Sequence, residues 1–102
     1  HPALASCPGH DVWARDFTGS TSVFSFVFDN HIDAEQVINF VNNLQIFRIG
    51  MSWGGVNSLA VVYPELIRPN QDFAGRIVRL NIGLEAVDDL ISDLEQAFKI
   101  LA

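Results

Sequence analysis

The sequence is poor in several residue types whose presence would point to particular classes of protein. Its 102 residues contain one cysteine, Cys7, which excludes an internal disulfide framework and favours a reducing compartment. No apolar run approaches the roughly 18 residues that a membrane span needs. The first residues show no signal-peptide pattern. We therefore expect a cytoplasmic protein that does not cross a membrane.

Positive charge is also scarce. Six Lys and Arg stand against twelve Asp and Glu, for a formal net charge of −6. The six are not clustered, so the chain lacks the basic surface with which nucleic-acid-binding proteins neutralise phosphates. Cys7 and His10 have a spacing that occurs in metal sites, but two ligands fall short of a closed set. We predict neither a nucleic-acid partner nor a metal site.

What the chain does have is apolar side chains. They make up 49% of the residues, and charged residues only 18%, below the roughly 25% usual for soluble domains. This composition indicates either a well-filled core or a face that packs against a missing partner. The first residue is His1 rather than Met, which favours a segment of a longer protein.

The pattern of residues predicts one small domain. Residues 1–19 carry proline and glycine without a clear period and are interpreted as an extended arm or interdomain connection; residues 20–102 form the domain. Pro69-Asn70 is a turn signal. The predicted elements are a strand over Ser22–Phe28, a helix over Asp33–Leu44, strands over Ile46–Ile49, Leu59–Tyr63 and Arg76–Ile82, and a helix over Ala86–Leu101.

The order β-α-β-β-β-α predicts an α+β two-layer sandwich, with about four mainly antiparallel strands and both helices on one face. Asp33 followed by Gln36 is typical of a helix N-cap. Both faces of the first strand are mostly apolar, so we expect both to be covered. The acidic residues near the C-terminus are interpreted as the solvated face of the last helix, whose apolar stripe comprises Val87, Leu90, Ile91, Leu94, Phe98 and Leu101.

Arg79 is the most informative single residue. It lies in mid-strand, on the face opposite the one that should meet the helices. An unpaired charge cannot simply be buried there, so the guanidinium must reach solvent, pair with an acid or bind an anionic ligand. Its planar fork suits a carboxylate. An ordinary arginine of an edge strand and a structural ion pair are the alternatives.

The segment Ser52-Trp53-Gly54-Gly55 is the second feature. Paired glycines permit backbone conformations that other residues avoid, and Trp53 could supply an apolar wall and an N–H donor. An ordinary turn with a core Trp explains the same pattern. There is no P-loop and no Gly-x-Ser-x-Gly elbow.

Three segments resemble the small C-terminal domain of bacterial cystathionine β-lyases, in the Cys/Met metabolism family of pyridoxal-phosphate-dependent enzymes. They are HPALASCPGHDVWARDFTGSTSVFSFVF, GMSWGGVNSL and IVRLNIGLEAVDDLISDLEQAF. The resemblance implies that Arg79 binds the substrate's α-carboxylate, with Ser52 and Trp53 as supporting contacts. It also implies a carbon–sulfur lyase that converts L-cystathionine to homocysteine, pyruvate and ammonia.

The same resemblance places the cofactor elsewhere. In this family the Schiff-base lysine and the phosphate-binding residues belong to a large domain that the chain lacks, and Lys99 matches the terminal surface helix. The resemblance therefore implies no catalytic residue in this segment, a missing cofactor-binding domain, a homotetrameric intact enzyme, an amino-acid substrate, and an isolated chain without activity.

Two other functions stay open. Many β-lyases have Tyr where this chain has Met51 and Glu where it has Asn57, so the substrate could be that of a cysteine desulfhydrase, methionine γ-lyase or cystathionine γ-synthase. The Ser-Trp-Gly-Gly form favours a β-lyase. A small-ligand-binding or dimerisation module without an enzymatic parent is the third hypothesis.

Overall fold

A computed structural model of the chain describes residues 1–64, 73 and 75–101. The predicted Pro69-Asn70 turn lies outside them. Every predicted strand and helix is present with shorter bounds, and the α+β prediction is confirmed. In chain order the elements are α1 (His10–Asp16), β1 (Val23–Val27), α2 (Ala34–Asn42), β2 (Arg48–Ile49), β3 (Leu59–Val62), β4 (Ile77–Asn81) and α3 (Val87–Phe98), followed by a 3-10 turn over Lys99–Leu101.

The four strands form one sheet in the order β1-β4-β3-β2. β4 pairs antiparallel with both β1 and β3, whereas β2 pairs parallel with β3. The last strand of the chain is therefore central in the sheet. Arg79 lies at its midpoint, opposite Ser25 of β1 on one side and Val61 of β3 on the other.

The helix α2 begins as the sequence predicts. The Asp33 carboxylate accepts a hydrogen bond from the Gln36 backbone N–H (2.8 Å), and the Gln36 side-chain oxygen accepts one from the Asp33 N–H (2.9 Å). This capping box satisfies two backbone donors at the helix start. Because the start is fixed, Val37, Phe40 and Val41 all face inward and are buried.

The core lies between the sheet and the layer formed by α2 and α3. Phe26 of β1 and Phe28, which directly follows that strand, meet Phe40 of α2 and Phe98 of α3, and the ring centroids of Phe40 and Phe98 are 4.6 Å apart. This aromatic cluster joins the sheet to both helices. The rest of the buried core comprises Ile32, Val37, Val41, Leu44, Phe47, Ala60, Val78, Leu80, Leu90 and Ala97.

The N-terminal arm contains a helix, so its description as extended is wrong for His10–Asp16. No residue of α1 is buried, which explains why no apolar period reveals it. The helix has favourable charges at its ends, with Asp11 in the first turn and Arg15 in the last. Arg15 also forms an ion pair with Asp16 at 2.7 Å.

The described residues cover one face of β1, whereas the sequence predicts that both faces are covered. Phe24 and Phe26 pack against the core, but Ser25 and Val27 on the other face are exposed, Val27 to 41%. Apolar residues on both faces of a strand predict burial only if something covers each face. Within the described part of the chain, nothing buries this part of the second face.

The α3 stripe requires a similar correction. Leu90 is buried and Leu94 packs against the core, but Val87, Ile91 and Phe98 are substantially exposed. The buried positions of α3 are instead Leu90, Asp93 and Ala97. The predicted stripe is therefore only partly buried: Leu90, Leu94, Phe98 and Leu101 contact the core, whereas Val87 and Ile91 are exposed. One member of the acidic run, Asp93, faces inward.

Asp93 is only 4% exposed, and it is not part of a solvated face. Its carboxylate accepts hydrogen bonds from the backbone N–H groups of Gln45 (2.8 Å), Ile46 (2.8 Å) and Phe47 (3.0 Å). Burial opposes ionisation, but these donors and the Gln96 amide outweigh it and hold the pKa of Asp93 below its ordinary value. Asp93 therefore fixes the segment that leads into β2.

Candidate functional site

β4 presents two polar side chains on the face opposite the helices. Successive side chains alternate across a strand, so Val78 and Leu80 enter the core while Arg79 and Asn81 point the other way. Arg79 is half-buried, and Asn81 is only 1% exposed. The helical layer therefore lies across the sheet from Arg79, as the alternation predicts.

Residues 51–57, here called the Trp53 loop, approach this polar face from the β2–β3 connection. The Nη2 group of Arg79 donates hydrogen bonds to the backbone carbonyls of Met51 and, at 3.5 Å, Ser52. Arg79 and Ser52, which the sequence singles out separately, are thus neighbours. The contact is made by the Ser52 carbonyl and not by its hydroxyl.

The remaining donors of Arg79 are available. A guanidinium carries five N–H donors in a fixed fork, and its Nε and Nη1 groups have no hydrogen-bond partner among the described residues. No carboxylate in that part of the chain forms an ion pair with Arg79. A half-buried guanidinium with unused donors can bind a carboxylate through two parallel hydrogen bonds.

Trp53 lies at the side of a groove of about 280 Å³. The groove is lined on the strand side by Thr21, Ser22 and Val23, and on the loop side by Trp53 and Gly54. The indole is 67% exposed, so Trp53 is not a core residue. An exposed indole beside a groove can form an apolar wall for a ligand.

Gly54 accounts for the shape of the loop. Its φ of +78° lies in the left-handed region, where glycine has no steric penalty. This conformation accompanies a hydrogen bond from the Gly54 N–H to Oδ1 of Asn81 at 2.9 Å. The first glycine of the pair thus lets the loop turn towards β4.

Asn81 is a functional candidate that sequence reasoning missed. Its Oδ1 accepts from the Gly54 N–H and from the Ser22 hydroxyl at 3.3 Å, and its Nδ2 donates to the Asn57 carbonyl at 3.2 Å. The side chain therefore connects β4 to both the strand side and the loop side of the groove. Its position two residues after Arg79, on the same face of the strand, is the signal that could have found it.

A second polar cluster fixes the end of the Trp53 loop. The Glu85 carboxylate accepts from the Ser58 N–H and from the Ser58 hydroxyl, both at 2.7 Å, and the hydroxyl in turn accepts from the Gly83 N–H at 2.8 Å. The Ser58 N–H, and then its hydroxyl, hold the pKa of Glu85 below its ordinary value. A side chain at Gly83 would collide with the Val56 carbonyl, so glycine permits this close approach.

The described residues do not by themselves fit pyridoxal phosphate. A Schiff base needs a lysine amine, and the only lysine of the sequence, Lys99, is exposed and follows α3 on the helical side of the sheet. Residues 1–64, 73 and 75–101 contain no group of three or more His, Cys, Asp or Glu that could hold a metal ion. None of their helices is long and apolar enough to span a bilayer.

Comparison with protein families gives one match that covers almost the whole chain. Residues 1–99 match the family described as Cys/Met metabolism PLP-dependent enzyme. The match includes both the Trp53 loop and Arg79.

Individual relatives agree with this match. The chain is 47% identical to the cystathionine beta-lyase MetC of Escherichia coli over 96% of its own length and 26% of that protein. It is 44% identical to the cystathionine beta-lyase of Haemophilus influenzae, over 100% of the chain and 27% of the relative. The chain thus spans about a quarter of the length of these relatives.

A solved structure shows the same arrangement of elements. The crystal structure of metB from Corynebacterium glutamicum superimposes with a TM-score of 0.79 at 28% identity. The match covers 99% of this chain and 27% of the other.

Proposed function

The chain belongs to the Cys/Met metabolism family of pyridoxal-phosphate-dependent enzymes, and on that premise we propose that it is the C-terminal, substrate-carboxylate-binding part of a carbon–sulfur lyase. The proposed enzyme is a cystathionine β-lyase, which converts L-cystathionine to homocysteine, pyruvate and ammonia. Identities of 47% and 44% to two cystathionine beta-lyases support this choice. The observation that carries it is Arg79, whose guanidinium is half-buried beside the Trp53 loop with donors to spare.

In this proposal Arg79 fixes the α-carboxylate of the amino-acid substrate. Two parallel N–H donors hold both position and orientation, which a single point charge does not. Such orientation of a substrate lowers a reaction barrier by several kcal/mol in favourable cases. Ser52 and Trp53 are supporting contacts: Ser52 lies against the guanidinium, and Trp53 forms one wall of the adjacent groove.

The rest of the enzyme completes the site. Pyridoxal phosphate, when bound, supplies an electron sink for the carbanion, and the one lysine of this chain, Lys99, lies on the helical side of the sheet, away from the Trp53 loop. We therefore propose that a large domain outside this segment binds the cofactor, in an intact homotetramer that acts in the cytoplasm. The chain alone is expected to be inactive.

The substrate within the family is the part of the proposal that most needs measurement. Met51 and Asn57 are the first and last residues of the Trp53 loop, at the two positions where the sequence departs from many β-lyases. The alternatives are cysteine, methionine and γ-replacement substrates. Comparison of kcat/KM for L-cystathionine, L-cysteine and L-methionine in the intact enzyme separates them, and a preference for cystathionine supports the β-lyase.

Arg79→Ala in the intact enzyme tests the carboxylate role. Losing a charge-assisted bidentate pair costs about 2–5 kcal/mol, so kcat/KM for cystathionine should fall roughly 30-fold to several-thousand-fold. The absorbance of the bound cofactor should stay nearly unchanged, because another domain holds it. Arg79→Lys should recover only part of the loss.

The matched control is Arg15→Ala, which removes an exposed arginine far along the sequence from the site. A structural Arg79 would behave differently, since its loss would lower the Tm without a selective kinetic defect. If Arg79→Ala keeps a kcat/KM close to that of Arg15→Ala, Arg79 does not bind the carboxylate and the proposal is wrong.

A further inference from the structure

The Trp53 loop has little hydrophobic anchorage of its own. Met51, Trp53 and Val56 are all largely exposed, so burial of side chains does not hold the loop over the sheet. Its position depends on hydrogen bonds between the backbone of the loop, mostly its carbonyls, and groups outside the loop. Two side chains of β4 and the backbone of the β4–α3 connection provide them.

The two side chains, Arg79 and Asn81, differ in what else they must do. Under the proposed function the Arg79 guanidinium also binds the substrate carboxylate. The same cation therefore has to serve both the substrate and the Met51 and Ser52 carbonyls. Asn81 has no such second partner. It is 1% exposed, and both polar atoms of its amide are bonded within the chain.

The bonds of Asn81 also cross the groove beside Trp53. Its Oδ1 accepts from Ser22 on the strand side and from Gly54 on the loop side, and both residues line the groove. One buried amide therefore holds the two sides of the groove together. The two sides are thus joined at one acceptor atom on β4, Oδ1 of Asn81.

We propose that Asn81 is a positioning residue, which holds the Trp53 loop at the distance from Arg79 where Ser52 and Trp53 can meet the substrate whose carboxylate Arg79 binds. This inference rests on the proposed function and extends it to a residue with no direct substrate contact. The loop's geometry is set by Asn81 before the substrate arrives. Substrate binding then does not have to supply the free energy of ordering the loop.

The test uses three variants of the intact enzyme: Asn81→Ala, Asn81→Asp and, as a matched control, Asn43→Ala. Asn43 also uses its side-chain amide in one hydrogen bond, to the Asn39 carbonyl, but at the exposed end of α2. Three quantities are measured on each variant. They are hydrogen–deuterium exchange within residues 51–57, resolved at the Gly54 amide, and KM and kcat for L-cystathionine.

Asn81→Ala should speed exchange of the Gly54 amide about tenfold, because a buried acceptor is lost. It should raise KM by about tenfold while kcat changes less than about threefold, because the loop is misplaced and the chemistry is not. Asn81→Asp keeps the Oδ1 acceptor and should keep Gly54 protected. It should still raise KM, since a carboxylate oxygen replaces the Nδ2 donor and repels the Asn57 carbonyl, which displaces the end of the Trp53 loop.

Unchanged Gly54 exchange in Asn81→Ala overturns the inference, as does a KM equal to that of Asn43→Ala. If Asn81→Ala does not fold, Asn81→Asp decides, and a normal KM in that variant overturns the inference equally. Arg79→Ala is measured in parallel. A defective Arg79→Ala beside normal Asn81 variants leaves the proposed function standing, whereas a normal Arg79→Ala overturns the proposed function and the role of Asn81 with it.

Discussion

The two faces of β4 are held in different ways. Val78 and Leu80 pack among apolar side chains of the helical layer, whereas Arg79 and Asn81 form directional hydrogen bonds to a loop with exposed side chains. Burial of apolar surface is non-directional and contributes mainly to stability. Hydrogen bonds fix geometry. Alternate residues of one strand therefore separate the stability of the domain from the shape of its site.

The strongest test of this comparison is the truncation of a large buried side chain on the helical face. Phe40 is 0% exposed and contacts three other phenylalanines. Phe40→Ala should lower the free energy of unfolding by about 3–5 kcal/mol, measured by denaturant unfolding of the intact protein. The KM of the molecules that remain folded should not change. Asn39→Ala, at an exposed position of the same helix, is the control, and a raised KM in Phe40→Ala would show that the two faces are coupled.

Asp93→Asn tests a polar contact on the helical side. The variant weakens the acceptors for three backbone N–H groups, so stability at neutral pH should fall by about 1–3 kcal/mol. Because the folded-state pKa of Asp93 is lowered, its contribution is full above the unfolded pKa of about 3.9 and is lost as the pH falls through the folded value. Unfolding curves at several pH values measure this. Parallel losses of stability in acid for the two proteins would contradict the role of Asp93.

A substitution in the Trp53 loop should raise KM and change stability little, which is the opposite of the result expected for Phe40→Ala. Gly54→Ala places a side chain at a φ of +78° and should strain the loop by about 1–2 kcal/mol. If the loop relieves this strain by shifting, KM should rise about five- to thirtyfold with a small change in Tm. Gly55→Ala is the matched control, because an added Cβ meets nothing within 4 Å at either glycine but only Gly54 of the two has a positive φ. Equal KM values for the two variants would argue against a geometric role for the loop.

The smallest expected effect comes from the strand beside Arg79. Ser25 is exposed and pairs directly with Arg79 in the β1–β4 ladder, so their side chains lie on one face about 5 Å apart at Cβ. Ser25→Asp offers the guanidinium an exposed carboxylate, worth about 0.2–1 kcal/mol, and should raise KM about 1.5- to 5-fold. Ser25→Asn controls for size. A KM that rises equally in both variants would exclude competition for the guanidinium.

Local patterns in the sequence predicted the elements that depend on local interactions. Asp33 and Gln36 are three residues apart, and their reciprocal hydrogen bonds mark the start of α2 without reference to the rest of the chain. The alternation of β4 likewise placed Arg79 opposite the helices. In both cases the information lies within a few neighbouring residues.

What could not be predicted depends on partners far along the chain. Asp93 has the character of a solvated acid in a helix, and only the fold brings it to the backbone of residues 45–47. Asn81 has the same limitation, since its three partners come from two segments that lie far from it in the sequence, Ser22 and the Trp53 loop. The helix α1 was missed for the converse reason: it buries no residue, and burial is what produces an apolar period.

The strand order has a consequence for how the chain is made. Among the strands that the structure describes, β1 pairs with β4 alone, and their register joins Val27 to Ile77 and Val23 to Asn81. During synthesis the first strand therefore emerges long before its partner and presents unpaired backbone groups, a feature that favours aggregation. Closing so long a loop slows folding. A chain that is truncated before residue 77 lacks β4, so β1 and β3 have no strand between them and the sheet cannot form, even if α2 and β3 fold normally.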